Sequence, residues 1–273
     1  MQALIAQRLS IFWWTMAVVA VPAAYLSWRY LAMIGQGHIG DYAGKPARVL
    51  GLLQAILRGP AIGWRRFFRH LFMDGLGHRR LWQRSKGRWF AHAAILLGFL
   101  GLAILSFLAA LAEHILLPLG LRYPLIAALR DMDQPFMAAL HESLGLILLL
   151  GGLMAGLRRF FWLGFDLPNE PPDVLALSLL LFITISGYPL ESLRLLAQSL
   201  PPAVARYSYI GWPIAKALAP LSLPWATWHF WVFQVHVLAS IVLFIYWPAS
   251  KMMHVIVGPL VGALGAAEAQ PTR

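Results

Sequence analysis

The residues of this chain best suited to chemistry are its histidines. The sequence contains nine, and four of them lie within or at the edge of long apolar segments: His92, His141, His236 and His254. Ionisable side chains inside a bilayer are costly and therefore usually serve a function there. Because cysteine is absent, the chain has no thiolate ligand for zinc or for an iron–sulfur cluster of its own. The four imidazoles are thus the candidate metal ligands.

The spacing of two of these histidines indicates two ligand positions on one helix. His236 and His254 are 18 positions apart, which is five full turns of an α-helix and a rise of about 27 Å. On a helix that continues to about residue 257, both imidazoles project from one face and lie near opposite sides of a hydrocarbon layer of roughly 30 Å. Two stacked cofactors, each with one nitrogen ligand from this helix, would require this arrangement.

The inner pair of ligands is predicted from depth in the membrane. His92 follows Arg88 by four residues, and His254 follows Lys251 by three. Both basic residues mark inner ends of helices, because Lys and Arg concentrate on the cytoplasmic side of membrane proteins. We therefore expect His92 and His254 to hold one cofactor together.

The outer pair is predicted in the same way. His141 precedes Arg158 by 17 residues and so lies about 25 Å above it along a helix, a depth that suits a partner for His236. His114 remains an alternative at this position, because it returns to within about 40° of the face that carries the inner ligand of its own helix. On the basis of depth, the predicted outer pair is His141 with His236.

Widely spaced single histidines on different helices suit haem better than other metal centres. The sequence has no HExxH motif, no di-iron ExxH pair and no histidine box. We therefore predict two b-type haems, each with two histidine ligands. A hydrogen-bonded polar contact within a helix bundle remains the alternative for any one histidine. Either a flat macrocycle near the backbone or ordinary helix contacts would explain the small residues Gly98, Gly101, Gly151 and Gly152.

The elements that must position these ligands are transmembrane helices. Of the 273 residues, 60% are apolar and 12% charged, whereas a soluble domain has about 45–50% and about 25%. The apolar segments are continuous rather than alternating, which disfavours a barrel. We predict one all-α membrane domain, residues 1–273, built as a five-helix transmembrane bundle. Its spans cover about residues 9–34, 89–117, 135–157, 174–197 and 225–257, with a kink in the fourth at Gly187-Tyr188-Pro189.

The distribution of basic residues predicts the orientation of the bundle. Sixteen of the 22 Lys and Arg residues lie on one side of the spans and six on the other. The positive-inside rule places the richer side in the cytoplasm, so the N-terminus is predicted outside and the C-terminus inside. Topology also accounts for the net charge of +11 without nucleic acid as a partner.

The long connection at residues 35–88 is predicted to be a cytoplasmic amphipathic segment. Apolar residues recur at helical spacing in two sets, Val49, Leu52, Leu53, Ile56 and Leu57, then Trp64, Phe67, Phe68, Leu71 and Phe72, the second beside Arg65, Arg66 and Arg69. Basic amphipathic helices of this kind lie on a membrane surface. On one interpretation, the basic residues set the topology and attract the anionic lipid bilayer. On the other, they form a docking platform for a cytoplasmic partner. The two interpretations are compatible.

The end of the fifth span resembles a known haem-binding helix. The string from His236 through Trp247-Pro248-Ala-Ser250-Lys251 to His254, followed by Gly258-Pro259, is similar to that of the membrane cytochrome b subunit (gamma subunit) of respiratory nitrate reductase. That family has two histidines at this spacing and a Pro-x-Ser-Lys/Arg-x-x-His close. Its second helix carries a further ligand ten residues after the position of His92, where this chain has Leu102.

A sub-branch of that superfamily is a nearer match in the basic stretch. The residues from His78-Arg79-Arg80-Leu81-Trp82 into Arg88-Trp89-Phe90-Ala91-His92 look like the membrane haem subunits of the sulfite-reduction-associated Dsr complex (its M subunit) and of heterodisulfide-reductase-like complexes. The resemblance implies a di-haem cytochrome b of a bacterial or archaeal cytoplasmic (inner) membrane. It would exchange electrons with quinone or quinol and with a cytoplasmic iron–sulfur subunit of a heterodisulfide-reductase-like type, alongside further membrane and periplasmic subunits. The missing cysteines agree, since the clusters would lie in that partner.

Several alternatives remain open at the level of sequence. The chain could be a respiratory nitrate reductase-type gamma subunit, a cofactor-free membrane anchor or assembly subunit, or a transporter. Proton-handling candidates on the outer side, each also compatible with an interfacial role, are Glu113, His114, Glu142, Glu191 and His229.

Overall fold

The computed structural model describes residues 2–34, 63–161 and 171–268, and within these ranges it is all-helical and contains no strand. The longer helices are α1 (Gln2–Ile34), α4 (Lys86–Leu111), α6 (Pro135–Phe160), α7 (Pro171–Ala197), α10 (Trp225–Tyr246) and α11 (His254–Glu268). The short ones are α2 (Trp64–Arg69), α3 (Arg79–Arg84), α5 (Pro124–Arg130), α8 (Pro202–Ala205) and α9 (Gly211–Leu218). Two π-helical turns, π1 (His70–Leu76) and π2 (Ala112–Leu116), continue α2 and α4.

Four helices of the described residues are long and apolar enough to cross a membrane. They cover Lys86–Leu116, Pro135–Phe160, Pro171–Ala197 and Trp225–Ala249, and they coincide with four of the predicted spans. The first predicted span lies in α1, which is not among these four. The count of five spans and their orientation therefore stay predictions.

Proline begins two of these helices. Pro135 and Pro171 are the first residues of α6 and α7, a position where the missing N–H removes no intrahelical hydrogen bond and the fixed φ suits the helix. Helix α7 continues through Pro189, and the kink at Gly187-Tyr188-Pro189 stays a prediction. The sequence predicts the start of α6 at Pro135, whereas α7 begins at Pro171, before the predicted start of its span at about residue 174.

The chain divides into two compact units, which are described separately. The first contains the described residues of Met1–Trp89, Glu170–Ala176 and Val242–Arg273, and the second those of Phe90–Asn169 and Leu177–Ile241. The prediction of a single domain, residues 1–273, is not decided by this division.

In the first unit, the second half of the predicted amphipathic segment is helical. Phe67 of α2 is buried against Ala263 of α11, with Leu71 and Leu260 packed around them. In π1, a Cβ atom on Gly75 would lie 2.7 Å from the Cβ of Pro259. The segment thus uses one face to pack on the last helix. The set from Val49 to Leu57 lies outside the described residues.

The helix that carries His236 ends earlier than the sequence predicts. Helix α10 stops at Tyr246, and two 3₁₀ turns follow, at Trp247–Ala249 and Lys251–Met253. The prediction of a continuous helix to about residue 257 is therefore wrong. The α-helical geometry of about 100° per residue that holds at His236 ends at Tyr246. It therefore no longer places His236 and His254 on one helix face.

The cause of the break is local. Pro248 lacks the N–H that an α-helix would donate to the carbonyl of Phe244, and its ring crowds that carbonyl. Ser250 between the two turns is extended, with φ −107° and ψ 169°. Its Oγ atom accepts a hydrogen bond of 3.1 Å from the backbone N–H of Met252, which stabilises the new start of the helical path.

In the second unit, α4 and α6 approach closely at two glycines. A Cβ atom on Gly98 would lie 2.6 Å from the Cβ of Leu148 and 2.7 Å from the carbonyl oxygen of Leu144. One on Gly151 would lie 2.8 Å from the carbonyl oxygen of Ala91. Real side chains cannot be accommodated at such distances, so the two backbones meet directly here.

Candidate functional site

His141 is held by its own helix, α6. Its Nδ1 atom donates a hydrogen bond of 2.8 Å to the carbonyl oxygen of Met137, one turn earlier. A carbonyl oxygen only accepts, so the proton is on Nδ1 and the lone pair of the neutral ring is on Nε2. The half-buried His141 therefore presents the nitrogen that would bind a metal.

His236 on α10 has the same arrangement through a neighbouring helix. Its Nδ1 atom lies 2.9 Å from the Oγ atom of Ser186 on α7, and that hydroxyl donates its one proton to the carbonyl of Ile183. With the hydroxyl proton used there, Nδ1 is the donor and Nε2 carries the lone pair. A Cβ atom on Gly187 would make an ordinary van der Waals contact of 3.8 Å with the Cε1 atom of His236.

The two predicted inner ligands lie in different units. His92 is half-buried on α4 of the second unit. His254 is the exposed first residue of α11 in the first unit, and its Nδ1 atom is hydrogen-bonded to the carbonyl oxygen of Lys251. His254 therefore also has its lone pair on Nε2. The pairing of His92 with His254 stays a prediction.

The small residues near these histidines are used in helix packing. Gly98 and Gly151 close the contact between α4 and α6, while Cβ atoms on Gly101 and Gly152 would lie 2.7 Å from Leu144 Cδ2 and 2.8 Å from Leu181 Cδ2. These contacts favour the packing interpretation at all four glycines over approach of a macrocycle.

Glu142, the residue after His141, holds the backbone of a distant segment. Its carboxylate is 5% exposed and accepts hydrogen bonds from the backbone N–H of Ile210 at 2.6 Å and of Gly211 at 3.0 Å. These groups begin α9, and helix N-termini favour a negative charge. Ser192 donates a further hydrogen bond of 2.9 Å to the carbonyl oxygen of Gly211. Glu142 is therefore fully engaged in positioning the start of α9.

Glu191 lies at the centre of a second polar cluster. Arg194 binds it with two hydrogen bonds of 2.8 and 3.0 Å and also contacts Asp133 at 2.8 Å. The hydroxyl of Ser208 donates to Glu191 at 2.7 Å. His141 is within electrostatic range of the same carboxylate. One guanidinium that joins two carboxylates in this way is typical of a structural network.

The other proton-handling candidates are less enclosed. Glu113 forms an exposed ion pair of 2.9 Å with Arg130. His229 stacks on Phe233 with ring centroids 6.1 Å apart, and it also lies within electrostatic range of Glu191. His114 is half-buried in π2. None of these contacts separates proton transfer from an interfacial role.

Two contacts of the candidate site cannot be predicted from the sequence. The partner of His236 is a serine 50 residues away, and the partners of Glu142 are backbone groups 68 and 69 residues away. No spacing rule connects such positions. The described residues contain no group of three or more His, Cys, Asp or Glu side chains arranged to hold a metal ion.

The chain matches no protein-family model, and no curated protein or solved structure matches it either.

Proposed function

We propose that this chain is a di-haem b-type cytochrome subunit of a bacterial or archaeal cytoplasmic membrane. It would exchange electrons between the quinone pool and a cytoplasmic iron–sulfur subunit of the heterodisulfide-reductase-like type, within a sulfur-metabolism redox complex of the Dsr type. The four apolar helices support a multi-pass membrane protein. The four histidines and the motif around His254 support the choice of cofactor.

The observation that carries the proposal is that three of the four imidazoles have a hydrogen-bond partner at Nδ1. His141, His236 and His254 each have Nδ1 engaged by a backbone carbonyl or a serine hydroxyl. Metal-binding histidines commonly donate the second ring N–H in this way, which fixes the tautomer and the ring orientation. A donor set of imidazole Nε2 atoms on helices fits a bis-histidine haem.

In this proposal His141 with His236, and His92 with His254, would hold the two haems, which supply one-electron transfer when bound. The chain's own contribution is to orient the rings and to set the surroundings of the ligands. Ser186 and the carbonyls of Met137 and Lys251 fix the protons on Nδ1. The apolar helices supply a low-dielectric setting.

The test is the number of haems bound to each polypeptide. The chain is expressed with 5-aminolaevulinate, purified in detergent, checked for helical content by circular dichroism, and assayed by pyridine haemochrome. Two b-type haems are expected. The matched control is His229→Ala, which removes a histidine of α10 that is not a predicted ligand and should leave the count at two.

The other outcomes are informative. One haem would withdraw one of the two pairs, and the histidine variants described in the Discussion identify which. No haem in folded protein would overturn the proposal and favour a cofactor-free anchor or assembly subunit. Reduction of bound haem by menadiol would support exchange with quinol, whereas haem reducible by dithionite but not by menadiol would contradict it.

A further inference from the structure

The second half of the amphipathic segment presents an exposed aromatic stripe. Trp64, Phe68 and Phe72 are 47%, 45% and 57% exposed. Their rings stack in sequence, with centroids 5.7 Å apart for the first pair and 6.2 Å for the second, and planes inclined by 25° and 21°. The ring of Phe67 meets those of Trp64 and Phe68 edge-to-face, with centroids 5.7 and 5.5 Å apart, and is itself buried against Ala263 of α11. The stripe thus borders the face that packs on α11 and remains exposed beside it.

Arginines border this stripe. At 100° a residue, Arg65 and Arg69 lie on α2 next to Phe68, and both are exposed. Across residues 63–90 the sequence has eight Lys and Arg residues and one acidic residue, Asp74. That carboxylate is already paired with His70 at 2.7 Å. The surface around the aromatic stripe is therefore strongly positive.

A second aromatic group adjoins the start of α4. Trp82 is 45% exposed and meets Trp89 edge-to-face, with ring centroids 4.8 Å apart. The ammonium of Lys86 lies 5.4 Å from the Trp82 ring centroid. Tryptophan beside Lys or Arg is typical of the boundary between acyl chains and headgroups.

We propose that the face formed by Trp64, Phe68, Phe72, Arg65 and Arg69 binds anionic phospholipid. The three rings lie among acyl chains, and the two guanidinium groups bind headgroup phosphates, for which a planar donor fork is well suited. Flat stacked rings flanked by positive charge complement such a lipid surface better than they complement a protein, since a protein interface usually buries its aromatic residues in separate pockets.

The absence of cysteine in the chain permits a direct test. Single variants Phe72→Cys and Met73→Cys, both at exposed positions, are labelled with an NBD fluorophore. The matched control is Gln83→Cys, at an exposed polar position of the same segment. Each protein is reconstituted into nanodiscs containing equal parts phosphatidylglycerol and phosphatidylcholine, with a doxyl quencher attached to either one or the other lipid.

We expect the labels at positions 72 and 73 to emit at shorter wavelength than the label at 83, and to be quenched more strongly by doxyl-phosphatidylglycerol than by doxyl-phosphatidylcholine. Arg65→Gln and Arg69→Gln should each reduce this preference about fivefold, the factor for one basic residue at a charged membrane surface. The helical content of each variant is checked by circular dichroism.

Three results would overturn the proposal. Labels at 72 and 73 that emit as in water would show that the stripe does not enter lipid. Equal quenching by the two lipids would remove the headgroup preference. Labels that are exposed to water in nanodiscs but shielded from it in native membranes, which contain the other cellular proteins, would assign the face to a protein partner. All of these readouts are independent of haem content, so failure here leaves the proposed function untouched.

Discussion

The Nδ1 atom of His236 lies 2.9 Å from the Oγ atom of Ser186, which connects α10 to α7. The serine hydroxyl donates to the carbonyl of Ile183, so the imidazole must donate to the hydroxyl. Ser186 therefore determines both the tautomer and the direction of the ring. Ser186 therefore belongs to the candidate site, although it is not itself a predicted ligand.

If His236 holds a haem as proposed, Ser186→Ala should weaken that site. Loss of a hydrogen-bond partner behind a metal-binding histidine lowers metal affinity by about 10–100-fold, and transfer of haem to apomyoglobin measures this change. The control is Ser240→Ala, whose hydroxyl bonds only to the backbone carbonyl of His236. Equal rates of haem loss in the two variants would count against a ligand role for His236.

His141→Ala and His114→Ala separate the two candidates for the outer ligand. Because the Nδ1 atom of His141 is already fixed by Met137, we expect the haem count to fall from two to one in His141→Ala and to remain two in His114→Ala. Pyridine haemochrome on the purified variants measures both. The opposite pattern would transfer the assignment to His114.

Glu142→Ala should destabilise the chain. It leaves the backbone N–H groups of Ile210 and Gly211 without their acceptor, and an unsatisfied buried donor costs about 1–3 kcal/mol. The free energy of unfolding is measured by SDS titration in mixed micelles. Glu113→Ala is the control, because its exposed pair with Arg130 contributes about 1 kcal/mol or less. Equal losses would show that the backbone contacts are unimportant.

Gly98→Ala should also lower the free energy of unfolding. The added Cβ atom would meet the backbone nitrogen of Leu148 at 2.7 Å, and backbone cannot move aside as a flexible side chain can. Overpacking of this kind costs typically about 1–3 kcal/mol. Gly87→Ala on the same helix has open space within 4 Å and should be neutral or stabilising by up to about 1 kcal/mol. A neutral Gly98→Ala would contradict the direct contact of α4 and α6.

Arg194→Gln should be the most destabilising of these changes. It leaves Glu191 without its partner, and both side chains are only about one-sixth exposed, 15% and 16%. Removal of one member of a buried pair costs about 3–5 kcal/mol, and the residual exposure places the expected loss at the lower end, about 3 kcal/mol. The double variant Arg194→Gln/Glu191→Gln should recover part of it. No recovery would indicate that Asp133, rather than Glu191, is the important partner.

The sequence predicts the fold at the level of hydrophobic length. Four of the predicted spans coincide with helices that are long and apolar enough to cross a membrane, because a run of about 20 apolar residues has few alternatives to a membrane helix, and the predicted start of the third span at Pro135 agrees with the start of α6. The 18-residue histidine spacing favours a helix that continues through Pro248, but proline interrupts an α-helix, and α10 ends at Tyr246.

The polar contacts of the candidate site are of a different kind. Glu191 and Arg194 are three residues apart on a helix, so their pairing follows from the sequence. Ser208 joins that pair from a separate segment, and Ser186 reaches His236 from another helix. Such contacts depend on how helices pack side by side, which periodicity along one chain does not encode.

The hydrogen bonds between Glu142 and the start of α9 affect which substitutions can accumulate there. The carboxylate recognises main-chain N–H groups, so this contact itself is compatible with any residue at position 210 except proline. Its neighbour at 211 has no such freedom, because a Cβ atom there would lie 2.9 Å from the Cγ of Glu191. Two adjacent positions that serve one hydrogen-bonded contact are thus expected to drift at very different rates.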